Sequence, residues 1–342
     1  MMMRNSDRPQ PLKGRSAWLI TDGKIGMDVQ VRGVADALGL DYEIKHVAPR
    51  GLWRALAPWA PVAPRERFGQ PGTPFAPPWP EVALATGRLS IPYIRAVGRR
   101  AGAKTYRVVL QDPKTSPAIA DLIWVPEHDK RRGANVITTL TAAHSFSPER
   151  LVQLRAASGD ILDLPSPRVA VVLGGPNSIY EFRGEDIDRL RLSLSAMSPH
   201  AGSFLITPSR RTPEALLAAV SQATDGKPRM LWDGSGDNPY GQFLASADVF
   251  VVTADSVNMV GEATTTGQPV YVFEPTGGSA KFKRFHEALR RYGATRPLPV
   301  SCSQIATWTY APLDSAREIA HEVEQRWLGR TAMPPMRGSS KS

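Results

Sequence analysis

The sequence predicts an α/β fold built from two Rossmann-like, doubly wound domains that face each other across a cleft. Three observations point there. Short β-rich apolar runs alternate with helical patterns along most of the 342 residues, as βαβ units around a parallel sheet require. Several of those runs end in Gly, Asp, Asn, Ser or Arg, at the position where open α/β sheets bind ligands. The length also accommodates two domains of about 100–200 residues each.

The elements follow in order. Ser16–Thr21 (SAWLIT) reads as a strand. A helix follows from about Asp28 to Leu38, because Val31, Val34, Ala35 and Leu38 recur at helical spacing. Further strands are expected at Tyr42–Val47, Val82–Ala85, Tyr106–Leu110 and Leu122–Val125, with a helix over Ile91–Arg100. The proline-rich stretch 49–80 is expected to be irregular. In the second half, strands are expected at Arg168–Leu173, Ser203–Thr207, Asp248–Thr253 and Pro269–Phe273. Helices are expected at Asp186–Ser195, from Thr212-Pro213 onward with Thr212 as N-cap, from Ser256 to about Thr266, and at Lys281–Tyr292 and Leu313–Leu328. Ser158-Gly159 with Pro165 and Pro167 loosens the chain between the halves. The expected division is a disordered tail at 1–15, an N-terminal domain at 16–160, a C-terminal domain at 161–332 whose last helix is a candidate to cross back, and a tail at 333–342.

Composition narrows the class. Hydrophobic residues at 42% and charged residues at 22% exclude wholesale disorder, collagen-like repeats and coiled coil. The single cysteine, Cys302, excludes an intramolecular disulfide and a cysteine-built zinc site, and fits a reducing compartment. No apolar run approaches the roughly 18 residues that span a bilayer, and the first residues carry no signal-peptide core. The expected location is cytoplasmic, with peripheral attachment to the inner face of the membrane as an extension. Of the net charge of +10, nearly all sits in residues 1–160, with 23 Lys+Arg against 14 Asp+Glu; residues 161–342 carry 19 against 18. A basic half suits an anionic partner, either a phosphorylated ligand or an acidic membrane surface, against the plainer reading of a solvated basic face. No nucleic-acid partner is expected.

Four strand-end loops hold the candidate chemistry. In Thr21-Asp-Gly-Lys-Ile-Gly26, Gly23 lets the backbone approach a ligand, Lys24 can meet a phosphate, and Asp22 and Asp28 are candidate general bases. In Leu173-Gly-Gly-Pro-Asn-Ser178, Gly174 and Gly175 followed by Asn177 and Ser178 suit an anion-binding concavity. In Thr207-Pro-Ser-Arg-Arg-Thr212, Ser209, Arg210 and Arg211 make a candidate diphosphate clamp. In Thr253–Glu262, Asp255, Ser256, Asn258 and Glu262 line the start of a helix, with Ser256 at an N-cap or phosphate position. The plain alternative in each case is an ordinary turn or cap. Asp186-Ile-Asp188 resembles an acidic metal motif but reads as helix-start acids. Glu127-His128-Asp129 follows a strand and reads first as a surface histidine. The other histidines lack metal-ligand spacing, so no metal site is expected. Leu52-Trp53-Arg54-Ala-Leu56 with Trp59, Arg65 and Arg67 mixes aromatic, apolar and cationic residues, and marks 51–68 as a candidate contact with an anionic membrane.

The segments TDGKIGMDVQ (21–30), QDPKTSP (111–117), PEHDKRRGANVITTL (126–140), GGPNS (174–178), TPSRRTP (207–213), the long run from Asn238 to Pro275 and KFKRFHEALRRYG (281–293) resemble the mitochondrial fission Elongated-Mitochondria family. Met27 stands where some bacterial members carry histidine. That family is similar in turn to GT-B glycosyltransferases. The resemblance implies a nucleotide-sugar site in the C-terminal domain, an acceptor site in the N-terminal domain and Glu262 on the ribose. The expected activity is an inverting, metal-independent glycosyltransferase that uses a nucleotide-diphosphate sugar and needs no further cofactor. A sugar-nucleotide epimerase and a non-catalytic adaptor with a protein partner, the role of plant relatives, are the alternatives.

Overall fold

The computed structural model describes residues 10–332. Its first half holds one sheet of six strands, β1 (Ser16–Thr21), β2 (Asp41–His46), β3 (Val82–Thr86), β4 (Tyr106–Leu110), β5 (Leu122–Pro126) and β6 (Val136–Thr139), in the order β2-β1-β3-β4-β5-β6. The second half holds β7 (Arg168–Leu173), β8 (Ser203–Pro208), β9 (Arg229–Leu231), β10 (Val249–Thr253), β11 (Val270–Phe273) and β12 (Thr295–Pro297), in the order β12-β11-β10-β7-β8-β9. All the ladders are parallel. Counted from its own first strand, the second sheet has the 3-2-1-4-5-6 order of a dinucleotide fold. The expectation of two doubly wound halves holds.

Side-chain alternation explains both faces. In β1, Ala17 and Leu19 enter one core and Trp18 and Ile20 the other, as a pleated strand demands. The first core is closed by α1 (Ile25–Ala37) and α10 (Ser315–Ala332), through Val31, Val34, Ile319 and Val323. The second is closed by α3 (Ile91–Ala101) and by Phe68 and Phe75 from the proline-rich stretch. That stretch is irregular, as expected, apart from the short α2 (Leu52–Ala55) and a single 3-10 turn at Pro64–Glu66. In the second half, α5 (Gly184–Met197) and α6 (Glu214–Ala223) cover one face. The other is covered by α7 (Tyr240–Ser246), α8 (Val257–Thr264) and α9 (Ala280–Tyr292).

Strands β3, β7, β10 and β11 are buried along their whole length, which is why they read as continuous apolar runs. The edge strands β6, β9 and β12 have few buried positions and left no such run to read. Residues 10–15, expected in a tail, instead make a turn: the Lys13 amide donates to the Gln10 carbonyl, and Leu12 is wholly buried beside α1 and α10. Residues 1–9 and 333–342 lie outside the described residues. The chain also changes sides earlier than the expected boundary at 160. The helix α4 (Pro148–Ala156) already packs on the C-terminal half, where Arg155 donates to the Ala245 carbonyl at 2.9 Å. α10 packs on the N-terminal half, because its apolar face completes that core.

The carboxyl edges of the two sheets face one another. A Cβ placed on Gly26, after β1, would lie 3.8 Å from Asn258 Nδ2, after β10. After β5, Asp129 pairs with Lys281 of α9 at 2.7 Å, and the His128 ring meets Phe285 edge-on.

Candidate functional site

In the first sheet the order reverses around β1 and β3, and the loops after them form one side of the cleft. Gly23 adopts φ +77°, a region that side chains strain to reach. A Cβ there would touch the His46 ring at 3.7 Å. His46 ends β2, is exposed, and places Nε2 3.1 Å from Asp28 Oδ2. Asp28 sits in the first turn of α1, where the dipole favours a carboxylate. Its Oδ1 is shielded from water and has no hydrogen-bond partner among the described residues, the kind of orphan that asks for an explanation. Asp22 is different. Its side chain is 4% exposed and its Oδ2 is held by Lys24 Nζ, so the two candidate bases do not have equal freedom. Beneath them Gln111, at φ +75°, donates to Gln30 Oε1 at 2.9 Å, and Thr86 donates to Met27 Sδ at 3.3 Å.

In the second sheet the reversal lies between β7 and β10, and there the structure differs from the expected open concavity. The Gly174 amide donates to Thr253 Oγ1 at 2.8 Å and the Gly175 amide to Asp255 Oδ2 at 3.0 Å. Arg211 Nη2 reaches the same Asp255 oxygen at 3.1 Å, while its Nη1 donates to the Gly175 carbonyl at 3.0 Å. Thr253 donates to Asp255 Oδ1 at 2.7 Å, and Asn177 Nδ2 to the Asp255 carbonyl at 3.3 Å. The buried carboxylate of Asp255 thus stands where a bound anion was expected, and Arg211 is spent on it. Both glycines are explained by this packing: a Cβ on Gly174 would lie 2.2 Å from the Asp255 carboxylate, and one on Gly175 2.0 Å from the Arg211 carbonyl oxygen.

The remaining candidates are arranged as follows. Ser209 lies in a tight turn, with Thr212 Oγ1 accepting from its amide at 2.8 Å. Thr212 was expected to cap α6; instead its hydroxyl turns back to the Gly174 carbonyl at 2.7 Å, and the cap position falls to Pro213. Arg210 and Ser178 are exposed and make no hydrogen bond or ion pair among the described residues. Ser256 caps α8, its Oγ accepting from the Met259 amide at 3.4 Å. Asn258 is exposed and faces Gly26. Glu262 lies one turn further on, with Tyr240 donating to Oε2 at 2.6 Å. Burial pushes its carboxyl up to about 7, partly offset by that hydrogen bond. Asp186 is a helix-start acid as read: it accepts from the Arg183 amide at 3.1 Å and pairs with Arg189 at 2.8 Å.

Sequence reasoning missed His46 and Tyr240. The signal for His46 was its place at the end of a strand next to the first loop. What it lacked was any spacing that tied it to Asp28, 18 residues away. A cavity of about 750 Å³ opens elsewhere, between α1, α10 and the loop before α4, and is lined by His144, Glu149 and Arg317. It lies away from both sets of strand-end loops.

Among known proteins, the mitochondrial fission protein ELM1 of Arabidopsis thaliana is 28% identical over 276 residues, covering 73% of this chain and 65% of the plant protein. Uncharacterized protein RP120 of Rickettsia prowazekii is 35% identical over 162 residues, 45% of each chain. The chain thus spans less than two thirds of the length of either relative. Among solved structures, MurG of Acinetobacter baumannii is 13% identical with a TM-score of 0.48, covering 94% of this chain and 96% of that one. The UDP-GlcNAc 2-epimerase of Methanocaldococcus jannaschii is 8% identical with a TM-score of 0.49, covering 91% and 99%. The family model described as mitochondrial fission ELM1 matches residues 25–327, and over that extent the chain belongs to the mitochondrial fission ELM1 family.

Proposed function

We propose that the protein is a glycosyltransferase-like enzyme, of the inverting and metal-independent kind, acting on a nucleoside-diphosphate sugar. The observation that carries this is the apposition of the two switch points, with the start of α1 and the start of α8 meeting at Gly26 and Asn258. Each helix start carries the partial positive charge of unpaired amides. In this reading His46 is the general base and Asp28 orients it. The imidazole takes the proton of an acceptor hydroxyl, and the carboxylate steadies the imidazolium that forms. The hydroxyl oxygen forms its bond to the anomeric carbon, and the diphosphate leaves with the electron pair. Arg210, Ser178, Asn258 and the start of α8 meet that charge. Lys24 and Gly23 border the acceptor side, and Glu262 accepts from a donor hydroxyl.

The test is thermal unfolding of the full chain against UDP, GDP, CDP, ADP, TDP and their sugars. At about 100 times the dissociation constant, a ligand should stabilise the fold by roughly 2.7 kcal/mol. One selective nucleotide supports the reading, and Arg210→Ala should remove the response.

A second reading has its own observation. The Gly174 amide is already taken by Thr253, and Gly175 and Arg211 by Asp255, so the loop that would cradle phosphate is closed by the protein itself. A non-catalytic adaptor, in keeping with the name of the plant relative, would retain such a closed loop. It predicts no response to any nucleotide. Turnover of the donor alone, without acceptor, would instead indicate an epimerase.

A further inference from the structure

We infer that residues 50–60 form an apolar tongue that docks the protein on an anionic lipid surface. The stretch 51–68 divides into two parts with opposite fates. Phe68 is buried and stacks on Phe75 at 5.1 Å, and Ala57 is fully buried; Trp53 is partly covered. In contrast Leu52 is 65% exposed, Leu56 46% and Trp59 65%. They lie in a protein whose exposed large apolar residues are otherwise scattered.

These side chains are held outward by their own backbone. Arg88, after β3, donates to the carbonyls of Ala55 and Ala57. Arg95, on α3, donates to the carbonyls of Pro58 and Trp59, the latter at 2.8 Å. Two guanidinium groups thus satisfy four backbone carbonyls within residues 55–59. Those carbonyls need no hydrogen-bond partner from outside, and the side chains of Leu52, Leu56 and Trp59 stay out of the core while Ala57 anchors the segment in it. A loop that only packed against a neighbouring domain would bury Trp59.

Charge chooses the partner. Arg50, Arg54 and Arg67 are exposed and form no ion pair among the described residues. Over residues 48–100 there are eight arginines against Glu66 and Glu81, and Glu66 is bonded to Tyr93. A tryptophan and two leucines rimmed by unpaired arginines match the boundary between acyl chains and acidic headgroups. No helix of the described residues is long and apolar enough to cross a membrane, so the contact is with its surface. The tongue lies on the carboxyl edge of the first sheet, the edge that also carries Asp22 to Asp28, with Ile25 there 65% exposed. A lipid-borne molecule would therefore arrive beside the cleft. The inference stands on this geometry and does not rest on the transferase reading.

The experiment is flotation of the full chain with vesicles of phosphatidylcholine alone, or with one third phosphatidylglycerol. At about 0.1 M salt, where the Debye length is about 10 Å, the chain should float with the anionic vesicles and stay behind with the neutral ones. Trp59→Ala combined with Leu52→Ala should weaken that binding about tenfold or more, from lost apolar burial. Arg50→Glu with Arg54→Glu should weaken it comparably and reduce the loss of binding that added salt causes in the unaltered chain. All four sites are exposed, and unchanged thermal unfolding confirms that the variants are folded. Absence of flotation with anionic vesicles, or flotation unaffected by both variants, overturns the proposal. So does self-association in light scattering that the Trp59 variant abolishes, since the tongue would then be a protein contact.

Discussion

The guanidinium of Arg211 lies 3.1 Å from the buried carboxylate of Asp255, and this one pair joins the loops after β7, β8 and β10. It separates two neighbouring arginines of identical chemistry. Arg211 is structural, whereas Arg210 is exposed beside it and has no partner among the described residues.

Asp255→Ala should therefore cost stability, about 1–3 kcal/mol, because the Gly175 amide and the Thr253 hydroxyl lose their acceptor in a buried site. Arg210→Ala should stay within about 0.5 kcal/mol, as exposed substitutions do, yet abolish nucleotide binding. Chemical denaturation and calorimetry measure the two quantities separately. Loss of binding in neither variant would remove the donor site from this edge.

The His46–Asp28 pair gives a kinetic prediction. His46→Ala and Asp28→Asn should each lower transfer by about 10²–10⁴-fold, the usual scale of general-base catalysis, while nucleotide affinity is retained. Asp22→Asn, already neutralised in part by Lys24, should have the smaller effect on the rate. Steady-state rates beside calorimetric affinities decide this, and equal losses for all three would point to a purely structural loop.

Stability should respond to pH through groups of opposite sign. Burial pushes His144 and His128 down to about 4; at His128 the charge of Lys281 adds to burial. The unfolded chain takes up protons near pH 6.5, so this contribution is complete above that value and is lost as pH falls toward 4. Glu262 acts the other way. Its folded value of about 7 exceeds the unfolded value, so its carboxyl disfavours folding progressively from about pH 4.5 to 7. The histidines should dominate, giving a net fall in unfolding temperature on acidification. His144→Asn should flatten that fall, and Glu262→Gln should steepen it.

The indole of Trp124 is wholly buried and donates to Thr139 Oγ1 at 2.9 Å. Thr139→Val should destabilise by about 1–3 kcal/mol by leaving that donor unpaired. Trp124→Ala should cost more, about 3–5 kcal/mol, through the cavity it leaves. Denaturant midpoints measured on both variants check the ranking.

The sequence by itself determined the two doubly wound sheets. Runs such as Val169–Leu173 and Val249–Val252 are apolar because both faces of a central parallel strand are covered, and that requirement is local enough to read. It also located the strand-end loops, since Gly23 and Gly174 follow β1 and β7 within two residues and Asn258 lies at the start of the helix after β10. The edge strands β6, β9 and β12 were not legible, because their half-covered residues carry no such run, whereas the edge strand β2 was read at Tyr42–Val47. Tertiary structure alone decided which residues share a site. His46 meets Asp28, Arg211 meets Asp255 across 44 residues, and Leu12 joins α10. Each of these depends on how separate elements stack, and no residue spacing along the chain records it. Exposure was decided there too. Trp59 and Phe68 are equally apolar in sequence, but only the folded backbone, pinned by Arg88 and Arg95, turns one outward and the other in.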